Sequence, residues 1–190
     1  MDTEAAGSAE EAALIRQVQA GDAELFGTLV ERYKRRAYFT ALGLVGSRED
    51  ALDLSQEAFA RAFRARRRID PDRPFYAWLY QILRRLCFNF VRDRVVRARS
   101  LADAAWLAGP EADSLTPAPD RALERREICA RVSAAIDALP AREREAVVLK
   151  EFEGLKYREI AELAGVPIGT VMSRLYTARR RLAEALEKDR

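Results

Sequence analysis

The chain has 190 residues, with 33 Lys and Arg against 30 Asp and Glu and a net charge of +3. That length supports one ordinary domain or two small ones, and nine Gly, seven Pro and 33% charged residues exclude collagen-like and wholly disordered chains. Histidine is absent, which removes histidine-based catalysis, most zinc sites and haem ligation together.

Two cysteines, Cys87 and Cys129, are too few for a disulfide framework and fit a reducing compartment. No apolar run approaches the ~18 residues of a membrane span. The opening Met1-Asp2-Thr3-Glu4 lacks the cationic and apolar stretches of a signal peptide. These features lead us to expect a soluble, cytoplasmic protein that is not a hydrolase. Lysine occurs only at Lys34, Lys150, Lys156 and Lys188, so arginine supplies nearly all the positive charge. A GC-rich genome accounts for their number, whereas their placement bears on function.

Residues 1–13 carry four acids and no base and read as a disordered lead-in. From Leu14 the pattern is helical: Phe26, Leu29, Val30 and Tyr33 repeat at i, i+3, i+4, i+7, and Ala51, Leu54, Ala58 and Phe59 or Ala62 also keep helical spacing. Asp22 and Ser47 suit N-caps and Pro74 a first helical turn. Helices are expected near 10–20, 22–45, 47–68 and 74–98. Residues 100–119 are acidic and hold Gly109-Pro110, Pro117 and Pro119, a flexible linker. Helices return near 120–138, 141–153, 156–164 and 168–188. The expected fold is all-α: two small helical domains, 14–99 and 120–190, joined by the acidic tether.

In the helix near 47–68, Asp50, Asp53, Gln56 and Glu57 share one polar face. A solvated face is the ordinary explanation. Two carboxylates without a nearby metal ligand or nucleophile make a poor acid–base pair, so the functional alternative is a protein-docking face.

Residues 73–99 interleave six aromatics with Arg84, Arg85, Arg92, Arg94, Arg97 and Arg99, with Asp93 alone as a counter-charge in the run. Phosphates attract the cations and unpaired bases stack on flat rings, so this composition suits single-stranded nucleic acid. Phe75, Leu79, Ile82, Leu86 and Phe90 are spaced as one inward face with Trp78 at its edge. Tyr76 and Tyr80 fall on a flank and are the better ligand-facing candidates. Cys87, among apolar neighbours, reads as core.

Residues 157–176 hold a short helix, small Ala161, a turn at Gly165 that needs positive φ, and a second helix. There Val171, Leu175, Ala178 and Leu182 form a buried stripe, with Met172, Ser173, Tyr176, Arg179 and Arg180 opposite. A helix fixed by one face and carrying donors on the other is what major-groove reading requires. An ordinary helical hairpin with a solvated basic face is the plain alternative.

Taken together these segments resemble the extracytoplasmic-function sigma factors, the compact branch of the bacterial sigma superfamily. Asp53-Leu-Ser-Gln-Glu-Ala-Phe59 is similar to the family's region 2.2, and Phe75-Tyr-Ala-Trp-Leu-Tyr-Gln-Ile82 to region 2.3. Glu151 to Ala161 with Pro167-Ile-Gly-Thr-Val-Met-Ser-Arg174 is similar to region 4.2. The resemblance implies a protein that binds core RNA polymerase, directs it to −35 and −10 promoter elements and promotes strand opening, with no catalysis, no cofactor, no metal and no small-molecule substrate. It implies contacts of Asp50, Asp53, Gln56 and Glu57 with the β′ clamp helices. The −10 strand would meet Tyr76, Trp78, Tyr80, Arg84, Arg85, Arg92, Arg94, Arg97 and Arg99. The −35 element would meet Lys156, Tyr157, Thr170, Met172, Ser173, Arg174, Tyr176, Arg179 and Arg180, on a region that also docks on the β flap. The acidic linker would thread near the active site and RNA exit path, and the resemblance further implies an anti-sigma factor as partner, with no membrane insertion. Arg85, where the family usually has asparagine, and Met172 and Thr177, at positions often basic, depart from the pattern. The competing class is a stand-alone helix-turn-helix regulator with an N-terminal sensor or dimerisation domain, which has no need of a single-strand groove.

Overall fold

The computed structural model describes residues 2–105 and 121–188, with side chains described for 9–97 and 128–187. Every regular element among the described residues is helical. The N-terminal unit comprises α1 (Asp2–Ala20), α2 (Leu25–Val45), α3 (Arg48–Arg64), a single 3₁₀ turn at Arg66–Arg68 and α4 (Phe75–Ala105). The C-terminal unit comprises α5 (Arg121–Asp137), α6 (Ala141–Val147), which runs into a π turn at Val148–Phe152, then α7 (Tyr157–Ala164) and α8 (Ile168–Lys188).

Helix boundaries follow the chemistry of their ends. The Asp22 carboxylate accepts from the Leu25 N–H at 3.3 Å and the Ser47 hydroxyl from the Asp50 N–H at 3.3 Å, each satisfying an amide that the helix leaves unpaired. The expected lead-in at 1–13 is corrected: α1 begins at Asp2, and Glu11 and Ala12 are buried. The Glu11 carboxylate accepts the Phe75 N–H at 2.8 Å and the Tyr33 hydroxyl. It therefore places negative charge against the positive start of α4, which ties this segment to the core. At its other end α4 continues to Ala105, absorbing the first residues of the expected linker; residues 106–119 of that linker lie outside the described residues.

The N-terminal core forms where α2, α3 and α4 cross. Phe26, Leu29, Ala37, Ala58, Phe75 and Leu79 are buried there, with Phe75 edge-on to Phe26 at 6.1 Å between ring centroids. Each large apolar side chain contributes about 1.5–3 kcal/mol of transfer free energy. Cys87 is buried, as its neighbours implied, and burial pushes its thiol up to about 12.

The two units touch. Gly43 of α2 lies so close to the π turn that an added Cβ would sit 2.7 Å from Val148 Cγ2, so a residue without a side chain permits the approach. Buried Arg144 of α6 donates to the Leu44 carbonyl at 2.8 Å, and the Gln81 amide of α4 donates to the Leu163 carbonyl of α7 at 2.5 Å.

Candidate nucleic-acid interface

On α3 the four polar residues stand together as expected. Asp53 and Gln56 are exposed, and Asp50 and Glu57 are half-buried. Glu57 accepts from Arg61 at 2.7 Å and lies 3.8 Å from Arg64; the hydrogen bond from Arg61 holds its carboxyl below the usual range. Leu52, half exposed at 49%, adds an apolar spot beside them. This is a surface with charge, a hydrogen-bonding amide and some grease, suited to a protein partner.

On α4 the arrangement departs from the sequence expectation. The inward stripe is present, with Phe75, Leu79 and Leu86 buried and Ile82 and Phe90 half-buried. However, Tyr76 and Tyr80, expected on a ligand-facing flank, are also buried, 3% and 0% exposed. The reason is the C-terminal unit, whose carboxylates cover them. The Tyr80 hydroxyl donates to Glu145 Oε1 at 2.6 Å. The Tyr76 hydroxyl lies 2.8 Å from Thr40 Oγ1 and 3.3 Å from Glu153 Oε1, with the Arg36 guanidinium 3.8 Å above its ring. Burial, reinforced by the neighbouring carboxylate, raises both phenols well above their ordinary pKa.

Arg84 is drawn into the same cluster. It pairs with Glu145 through Nε, and its Nη2 lies 3.2 Å from Glu145 Oε2; this hydrogen bonding raises its pKa. Trp78 is half-buried, whereas Arg85, Arg92, Arg94 and Arg97 are exposed. Arg92 pairs with Asp93 at 3.0 Å, and Arg94 donates to the Val45 carbonyl at 3.1 Å. The side chain of Arg99 lies outside the described residues. The candidate ligand groups of the basic helix thus split into a covered set, Tyr76, Tyr80 and Arg84, and an open set of arginines, Arg85, Arg92, Arg94 and Arg97.

In the C-terminal unit the expected register holds. Gly165 has φ of 67°, the left-handed conformation that turns α7 into α8. Val171, Leu175 and Ala178 are buried, Leu182 is half-buried, and Met172 and Tyr176 are exposed at 53% and 70%. Ser173, Arg179 and Arg180 share the open face, and Lys156 stands exposed before α7, its N–H held by Glu159 at 2.5 Å. Tyr157 and Thr170 are half-buried, and Arg179 pairs with Glu151 at 2.9 Å. A different fate meets Arg174: its side chain is 13% exposed and points to Glu145 Oε2 at 3.8 Å, away from the open face.

Glu145 and Glu153, which organise the cluster, escaped the sequence reading. The available signal was Arg144-Glu145 directly before Ala146-Val-Val-Leu149, a stretch with no polar face; a helix apolar all round is enclosed, so charges at its edge must be paired.

A turn-fixed helix with an open polar face and a second, arginine-rich helix give the described residues the features of a two-unit nucleic-acid-binding protein. Comparison with known proteins gives the family. Residues 29–96 match the model of Sigma-70 region 2, and residues 129–182 match that of Sigma-70, region 4. The chain is 36% identical over 182 residues to the RNA polymerase sigma-H factor of Pseudomonas aeruginosa, covering 92% of each. It is 32% identical over 174 residues to the ECF RNA polymerase sigma-E factor of Escherichia coli, covering 87% of this chain and 88% of that one. Among solved structures, the sigma factor RpoE of Bartonella quintana, in complex with the anti-sigma factor NepR, is similar with a TM-score of 0.61 and 28% identity over 87% of this chain and 98% of that one. The chain belongs to the sigma-70 family, in its extracytoplasmic-function branch. It is a sigma factor that directs promoter-specific transcription by RNA polymerase, and the competing regulator class is set aside by matches in both units.

Proposed function

We propose that the three surfaces divide the work of initiation. Asp50, Asp53, Gln56 and Glu57 of α3 grip the β′ clamp helices of core polymerase. The basic helix α4 captures the unpaired −10 strand through Trp78, Tyr76, Tyr80, Arg84, Arg85 and the arginines 92, 94, 97 and 99. The open face of α8, with Lys156 and Tyr157 at its approach, reads the −35 element, and the C-terminal unit docks on the β flap. The observation that carries this reading is the exposed face of α8 over a buried apolar stripe, because base edges in the major groove are reached only by side chains free of the core.

The chain does no chemistry of its own in this scheme: strand opening draws on stacking and phosphate contacts, which stabilise the separated strands once the duplex yields. It acts where the polymerase is, in the cytoplasm; no described helix is long and apolar enough to cross a membrane. The similar B. quintana sigma factor is held by an anti-sigma factor, and an anti-sigma partner is proposed here on that likeness. Run-off transcription with purified core polymerase on a promoter library tests the whole scheme. The wild-type chain is expected to select −35/−10 promoters, and replacing Asp53, Gln56 and Glu57 together by alanine is expected to abolish core binding with helicity intact. Unchanged affinity of that triple variant for core polymerase removes α3 from the scheme.

A further inference from the structure

The polar groups on the covered stretch of α4 are met by two carboxylates of the C-terminal unit. Glu145 is 1% exposed and reaches three groups at once: the Tyr80 hydroxyl at 2.6 Å, the Arg84 guanidinium, and Arg174 at 3.8 Å. Glu153, delivered by the π turn, accepts from Arg36, Thr40 and Tyr76. Each carboxylate therefore occupies guanidinium and phenol donors that an anionic strand would use, and Glu145 also draws one arginine from each DNA-facing helix, α4 and α8.

We propose that Glu145 and Glu153 are an internal latch: two acids that stand in for nucleic-acid phosphates and hold the free chain closed, with Tyr76, Tyr80 and Arg84 withheld from single-stranded DNA until the units part. The latch rests on the reading that this stretch of α4 binds the −10 strand. Its chemistry suits reversible closure. A buried ion pair forfeits hydration of both charges and returns little net stability, so these carboxylates can exchange partners at small cost. An incoming phosphodiester offers the same arginines and tyrosines an equivalent acceptor. The apolar part of the contact seats Val148 against the bare backbone of Gly43.

The test uses the full chain without polymerase and a fluorescent non-template −10 oligonucleotide chosen by the run-off library. In Glu145→Gln/Glu153→Gln, binding of the oligonucleotide is expected to tighten roughly tenfold, as follows if about a tenth of the wild-type chain is open, and the radius of gyration by X-ray scattering should rise. A second pair works in the opposite direction. The ideal Cβ at Gly43 lies 3.4 Å from Val148 Cβ, close to the ~3.5–4.5 Å of a disulfide. Gly43→Cys/Val148→Cys, in a Cys129→Ser background, is therefore expected to oxidise readily and lose oligonucleotide binding, recovering it on reduction.

An oxidised pair that binds as well as the reduced one overturns the latch, as does failure of the pair to cross-link or a Gln variant that neither opens nor binds more tightly. Failure of the underlying reading is distinguishable. In that case scattering reports opening, but Tyr80→Ala placed in the Gln variant leaves oligonucleotide binding unchanged.

Discussion

The two DNA-facing helices are built from similar residues and end in opposite states. On α8 a single apolar stripe is buried and the face that carries Met172 and Tyr176 is open. On α4 two neighbouring faces are buried, one by the N-terminal core and one by carboxylates of the C-terminal unit, so the aromatic part is closed while the arginine-rich part beyond it stays open. Composition alone does not decide whether a tyrosine meets a ligand. The decisive factor is which second element carries acids at the right height.

The largest test of this contrast removes the support of α8. Leu175 is 1% exposed, and Leu175→Ala should cost about 2–5 kcal/mol, measured by chemical denaturation. With the C-terminal unit weakened, −35 duplex binding should fall and single-strand binding rise; a parallel loss of both means that the two units fold as one. Next comes the open face. Met172→Arg adds a forked donor and should shift the preferred −35 sequence by about 1–3 kcal/mol at one base pair. A binding-site selection in which variant and wild type choose identical sequences shows that position 172 does not meet the groove.

On α4 the open arginines should behave unlike the covered one. Arg92→Ala, Arg94→Ala and Arg97→Ala should each reduce the salt dependence of forked-promoter binding by about one unit of slope, whatever the sequence. A slope unchanged across the series assigns these arginines to solvent alone.

The smallest effect concerns the core beneath. The Cys87 thiol rises from 9.0 to about 12 on burial, so folding favours its protonated form. Its contribution is complete below pH 9 and drains as pH climbs towards 12. Buried or half-buried Tyr33, Tyr76 and Tyr80 are raised in the same sense. Thermal melting of Cys87→Ala should show a shallower loss between pH 9 and 11 than the wild-type chain, and identical pH profiles would place the loss on the tyrosines.

Sequence patterns were most legible where one element buries one face. The α8 register followed from Val171, Leu175 and Ala178 at helical spacing, and the turn before it from Gly165. The caps at Asp22 and Ser47 were legible for the same reason, since each depends on residues within a turn or two. Legibility failed for groups whose partners lie far along the chain. Tyr80 and Glu145 are 65 positions apart, and no local period links them. Glu11 and Phe75, 64 apart, explain likewise why an acidic leader became a helix with a buried end. The closure of the two units on one another depends on long-range pairing, apolar and charged alike, which a helical wheel does not record.

The π turn at Val148–Phe152 has a consequence for direction. Its i to i+5 closure, with the Glu153 N–H on the Val148 carbonyl at 3.1 Å, accommodates one residue more than an α-helical turn would. That wide turn ends the helix, and Gly154, at φ 68°, then redirects the chain towards α7. The direction in which α7 and the recognition helix leave α6 thus depends on the shape of one wide terminal turn and on the glycine that follows it.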